Sequence, residues 1–220
     1  MSRQFILINP NTNAATTAQM ADIARAAAGP GIEIRPLTAG FGVPLITSLP
    51  DLAVSRDAVV ALASSIPDAC EGIIISAFGD PGLDELRALL TVPVVGIAEA
   101  GLHEAARDGR RFAVVTTTPG LVRAIDAKVG VLGLSASYAG VFLTPGDPIA
   151  LTASPAVLES ALAAAVEAAI QAQNVEAVVI GGGPLAVAAR SLARRFSIPI
   201  IEPIPTAVHH LLRIAGHTLG

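Results

Sequence analysis

The chain has 220 residues, 52% of them hydrophobic and only 3% aromatic, with a formal net charge of -4. That length admits one domain or two small ones, and the wealth of Ala, Val, Ile and Leu favours buried parallel strands under alanine-rich helices. Scattered Lys and Arg form no basic patch, which argues against a nucleic-acid partner, and no uninterrupted apolar run reaches the roughly 18 residues of a membrane span. Without a signal-peptide pattern at the N-terminus, a cytoplasmic protein is expected. The single cysteine, Cys70, excludes an internal disulfide and reads as a small half-buried hydrophobe. No metal site is expected: adjacent His209 and His210 point apart on a helix, and His103 and His217 have no clear partner.

Residues 4–8 are predicted as the first strand, and NPNTN at 9–13 leads into an alanine-rich helix reaching Ala28, capped by Thr12 or Asn13. A second strand at 32–37 precedes TAGFGVPLITSLPD at 38–51, a loop that either covers a site or packs as an irregular connection. Helical spacing at 51–65, a strand at 73–76, a helix at 81–90 and a strand at 92–97 complete a parallel β-α-β series. The second half opens with a strand at 111–115, TTTPG at 116–120 and a helix at 121–132. A strand at 137–143 and the turn cluster TPGDP at 144–148 come next. Ser154 is placed as the cap, with Pro155 in the first turn, of a helix reaching Ala172. A strand at 175–180, the loop GGGPL, a helix at 186–196, a strand at 198–201 and a helix at 206–215 close the chain.

The halves repeat one another. FILINPNTN at 5–13 matches FAVVTTTPG at 112–120, IIISAFGDPGL at 73–83 matches VVIGGGPL at 178–185, and VPVVGIAEA at 92–100 matches IPIIEPIPTA at 198–207. The expected fold class is therefore α/β, with two pseudo-symmetric lobes, each a short parallel sheet flanked by helices, and an active site in the cleft between them. Residues 1–100 form the first lobe and 101–205 the second, and the C-terminal helix at about 206–220 packs back on the first.

Chemistry in open α/β proteins collects at the carboxyl ends of strands. There, backbone N–H groups around Ala77, Phe78 and Gly79, and around Gly182, Gly183 and Pro184, suit an anionic oxygen. Asn9, Asn11, Ser76, Thr116, Thr117 and Thr118 add side-chain hydrogen bonds, although the asparagines can equally build a turn. Asp80 either contacts a ligand or caps the helix that starts beside it. Glu99 and Glu202 hold equivalent places after matching strands. Each is a candidate general base if it faces the cleft, or a structural carboxylate at a lobe junction if it does not. The glycines of GGGPL are no dinucleotide signature, and no cofactor is expected.

INPNT at 8–12, FGDPGL at 78–83, PVVGIAEA at 93–100, RFAVVTT at 111–117 and the late IPII at 198–201 together resemble the aspartate/glutamate/hydantoin racemase superfamily, most closely its hydantoin and allantoin racemase branch. The resemblance spans almost the whole chain. It implies a small carboxylate or cyclic ureide bound between two lobes and, in that family, two thiols on opposite faces of a carbon acid. The matching positions here are Ala77 and Gly182, so the implied enzyme is Cys-depleted and works through a stabilised enolate-like intermediate. The alternatives are a lyase or hydrolase on a related amide or malonate, and a ligand-binding protein on the same scaffold. Helix surfaces rich in alanine suggest a homo-oligomer.

Overall fold

The computed structural model describes residues 3–216. The first half contains β1 (Arg3–Asn9), α1 (Ala14–Ala28), β2 (Ile32–Thr38), α2 (Leu49–Ala61), β3 (Cys70–Ile75), α3 (Leu83–Leu89), β4 (Val94–Gly96) and α4 (Ile97–Ala105). The second contains β5 (Phe112–Thr116), α5 (Val122–Val131), β6 (Tyr138–Leu143), α6 (Pro148–Thr152), α7 (Pro155–Gln173), β7 (Ala177–Ile180), α8 (Ala186–Leu192), β8 (Ile200–Ile201) and α9 (Pro203–Ile214). All strand pairs are parallel, in the orders β2-β1-β3-β4 and β6-β5-β7-β8. The sequence repeat is thus a repeat of topology. Central strands β3, β5 and β7 are almost wholly buried, which is why they read as continuous apolar runs with no alternation.

Local chemistry explains most boundaries. Asn13 caps α1 by accepting the Thr16 N–H, while Ser48 and Asp51 form a capping box that starts α2 at Leu49, two residues before the predicted start. Ser154 occupies the cap position of α7, yet its side chain makes no capping bond. The predicted turn at 144–148 runs into α6, whose cap is Asp147. By length and mean hydropathy α7 is apolar enough to cross a membrane, more than its sequence run suggested. Alanine supplies that hydropathy, and Leu158, Leu162 and Val166 on its buried face pack over the second sheet.

Two corrections bear on the site. The stretch 97–105, predicted as strand end and connection, is the helix α4, and it lies between the sheets, packed against both α9 and β7. Its N-cap is Gly96, which offers no side chain, so the sequence carries no local start signal. Helix α9 begins at Pro203, earlier than predicted, because Pro203 and Pro205 both sit in its first turn, where their missing N–H groups cost nothing. It packs on α1, α4, β3 and β4, with Ile204, Val208 and Leu211 in a core shared with Phe5, Leu7 and Ile74. A Cβ on Gly72 would lie 2.7 Å from the Leu211 Cδ1, so bare backbone in β3 is what lets this helix seat. His217 lies outside the described residues.

Candidate active site

The carboxyl ends of the two sheets enclose a cleft of about 540 Å³, counting the part open to solvent. Ser76, Ala77 and Phe78 wall one side. Gly181, Gly182, Gly183 and Pro184 face them, with Asn11 and Thr116, Thr117 and Thr118 between. Leu45, Ile46, Leu121, Ile125, Thr152 and Leu185 complete the lining, and sequence reasoning did not name them. Leu45 and Ile46 come from the Gly- and Pro-rich loop, whose apolar residues among turn-formers were the one available signal. That loop crosses the cleft: Val43 C=O accepts the Thr12 N–H at 3.0 Å, and Thr47 C=O presses so closely on Gly120 that no Cβ fits there.

Each predicted residue now has a place. The Asn9 amide donates to Asn11 Oδ1 at 2.9 Å and to Thr17 Oγ1 at 2.8 Å, an internal brace and not a cleft group. Asn11 Oδ1 also accepts the Asn13 N–H at 2.9 Å. With its oxygen so engaged, the Asn11 amide nitrogen makes no hydrogen bond among the described residues and remains a donor for the cleft. Thr116 and Thr118 repeat the device in the second half: Thr116 Oγ1 donates to Gly181 C=O at 2.7 Å, so the 3.1 Å contact with Thr118 is one in which Thr118 donates. The Thr117 side chain makes no hydrogen bond among the described residues. Ser76 turns its hydroxyl to Met20 Sδ at 3.1 Å, away from any nucleophilic role.

The backbone donors are fewer than expected. Gly182 N–H is taken by Ile180 C=O at 3.1 Å, and Gly79 lies under Leu52 of α2, outside the lining. Among the described residues, the N–H groups of Ala77, Phe78, Thr117, Thr118 and Gly183 remain unbonded. Their residues line the cleft from the ends of both sheets.

Among the described residues no titratable side chain lines this space. Glu99 faces elsewhere: Arg87 grips it with two bonds of 3.0 Å. Burial alone pushes the Glu99 carboxyl up, but the Arg87 pair outweighs it and holds the group below its ordinary value. Glu202 pairs with Arg190 at 3.2 Å and lines an outer groove with His103, His209 and His210. Neither glutamate lines the cleft; each is held by an arginine at the start of its helix. Asp80 is buried behind the loop and meets α4 instead of a ligand. Cys70 donates to Gly72 C=O at 3.2 Å, and burial pushes its thiol up, as for an inert residue. Among the described residues no His, Cys, Asp and Glu cluster is arranged to hold a metal.

Comparison with known proteins follows the same line. The chain is 28% identical over 209 residues to the hydantoin racemase of Paenarthrobacter aurescens, covering 93% of this chain and 87% of that one. It superposes on the allantoin racemase from Klebsiella pneumoniae with a TM-score of 0.91 and 30% identity, covering 100% of this chain and 91% of the other. A mutant of arylmalonate decarboxylase, at TM-score 0.71 and 15% identity over 98% of this chain and 94% of its own, shares the fold alone. Residues 6–211 match the Asp/Glu/Hydantoin racemase family, and the chain belongs to that family of racemases and isomerases.

Proposed function

We propose that the cleft binds a small carboxylate or cyclic ureide and stabilises enolate-like charge on it, in a hydantoin-racemase-like reaction that uses no thiol. The observation that carries this reading is the set of N–H groups on Ala77, Phe78 and Gly183, unbonded among the described residues, on residues that line an uncharged, mostly apolar cleft. An oxygen that gains charge there meets donors already in place, and one such donor is worth about 2.7–4 kcal/mol to a transition state. Leu45, Ile46, Phe78, Leu121 and Ile125 suit an apolar substituent on the reacting carbon. The similarity to hydantoin and allantoin racemases supports the substrate class. Proton transfer falls to water or a threonine hydroxyl, since Ala77 and Gly182 carry no acid or base.

Exchange of the α-proton in D2O and loss of optical rotation, with 5-substituted hydantoins and allantoin, test the proposal. The chain as given is expected to turn over slowly, and Ala77→Cys with Gly182→Cys to raise the rate by orders of magnitude. Both positions accept the change: Ala77 lines the cleft, and Gly182 has extended backbone at φ 167 with only the Leu185 side chain, 2.9 Å from a built Cβ, in the way. If neither form binds or turns over any ureide or carboxylate, the reading fails.

A cleft without an acid or base also favours a second reading, a lyase. Loss of CO2 from a malonate needs no base: the C–C bond breaks, its electron pair stays on the α-carbon as an enolate, and water returns a proton. CO2 release from 2-substituted malonates without α-proton exchange of hydantoins selects this reading. Binding without either turnover marks a ligand-binding protein.

A further inference from the structure

Asp80 is the fourth residue of the strand-end loop that begins at Ala77. It holds left-handed backbone at φ 51, a region that Asp tolerates better than most side chains and that persists only where surroundings enforce it. Its side chain is fully buried, and all its acceptor capacity is spent at a distance. Oδ1 accepts the Ala98 N–H at 2.8 Å, Oδ2 accepts the Glu99 N–H at 2.9 Å, and Lys128 Nζ stands 3.3 Å from Oδ2. Gly96 must be glycine, since a Cβ there would collide with this carboxylate.

Asp80 and these partners tie together three parts of the fold. Ala98 and Glu99 open α4, the helix between the sheets. Lys128 belongs to α5, which covers the second sheet and supplies Ile125 to the cleft lining, with Leu121 just before it. Asp80 belongs to the loop that supplies Ala77 and Phe78 to the same lining, packed in one apolar cluster with Leu121 and Ile125. A buried carboxylate costs several kcal/mol unless it is paired and fully hydrogen-bonded, and removing one partner of such a pair leaves the other charge stranded. Loss of Lys128 therefore favours a looser arrangement in which water reaches Asp80 and α5 moves off the loop.

We infer that the Asp80–Lys128 ion pair is a clasp that holds α5 against the strand-end loop, so that the parts of the cleft lining they carry keep their binding arrangement, and that Asp80 is a positioning residue for Ala77 and Phe78. The inference rests on the cleft being the ligand site, whichever reaction takes place there.

Spin labels at Leu89→Cys and Val131→Cys, exposed positions on α3 and α5, report the distance between the two sides in the full chain, while buried Cys70 stays unlabelled. Lys128→Met is expected to broaden that distribution towards longer distances, and Lys128→Arg to restore it. Asp80→Asn keeps the shape of the side chain and an acceptor for Ala98, and is expected to broaden it in the same way should Lys128→Met fail to fold. Affinity for allantoin or maleate falls about tenfold in Lys128→Met, as when the closed form drops to about a tenth of the population, and recovers in Lys128→Arg. An unchanged distance distribution in the charge-removing variants, or no restoration by arginine, overturns the clasp. If no compound binds the parent chain, the proposed function fails while the distances still decide the clasp.

Discussion

The three glycines after β7 meet different neighbours. A Cβ on Gly181 would lie 2.9 Å from Val114 and 3.2 Å from the Phe78 ring, and one on Gly183 would lie 2.7 Å from Met20 Sδ and 2.9 Å from the Ser76 carbonyl oxygen. Only Gly182 is opposed by nothing but the side chain of its neighbour Leu185. Backbone cannot yield as a side chain tip can, so Gly183→Ala is expected to cost about 1–3 kcal/mol by overpacking, and Gly182→Ala under about 1 kcal/mol. Urea unfolding of the two variants checks the order, and equal costs would refute it. The loop was legible as a site from its place after a strand. Which of the three has room for a side chain was not, because identical residues differ only in what folding places beside each of them.

At the scale of elements, matching helices α4 and α9 solve one problem by different means. Each begins directly after a buried strand and must dispose of first-turn N–H groups. In α4 the Asp80 carboxylate takes those of Ala98 and Glu99, whereas α9 removes two of its own by placing Pro203 and Pro205 there. The loop across the cleft depends on a second carboxylate: Asp51 accepts from Thr47 N–H at 2.9 Å, Thr47 Oγ1 at 3.1 Å and Ser48 N–H at 3.0 Å. Burial raises the Asp51 carboxyl, but these donors together outweigh it and hold the group below 3.8. Because the folded value is depressed, the stabilisation is fully present above the ordinary carboxylate pKa and is lost as pH falls through the lowered one. Asp51→Ala is expected to cost about 1 kcal/mol near neutrality, and to remove part of the loss of stability seen between neutral pH and strongly acidic pH. Urea midpoints across that range, parent against variant, provide the measurement.

For the whole molecule, the seat of α9 is a test of how the chain closes. Leu211 is fully buried over Gly72 in a core drawn from α1, β1, β3 and α9, so the last described helix completes the first sheet. Leu211→Ala is expected to destabilise by about 2–5 kcal/mol, since the removed atoms leave a cavity that a strand and two helices cannot collapse to fill. Thermal unfolding would contradict this if the variant kept the midpoint of the parent. The same closure sets the cleft, because α4 packs between α9 and β7 and carries the amides that anchor Asp80.

By itself the sequence determined the α/β class, the internal repeat of strands and helices and the loops that line the cleft, since apolar runs, turn-formers and internal repetition are local signals that survive without knowledge of packing. It also showed that Ala77 and Gly182 bring no acid or base. Only the tertiary structure decided where side chains point. Glu99 and Glu202 both follow matching strands, three positions apart in the repeat, yet turn to Arg87 and Arg190, and Asp80 reaches past its own helix to α4 and Lys128. A carboxylate finds its partner through space, and in this fold the partners that matter are brought together by two sheets meeting, which neither spacing nor periodicity along the chain records.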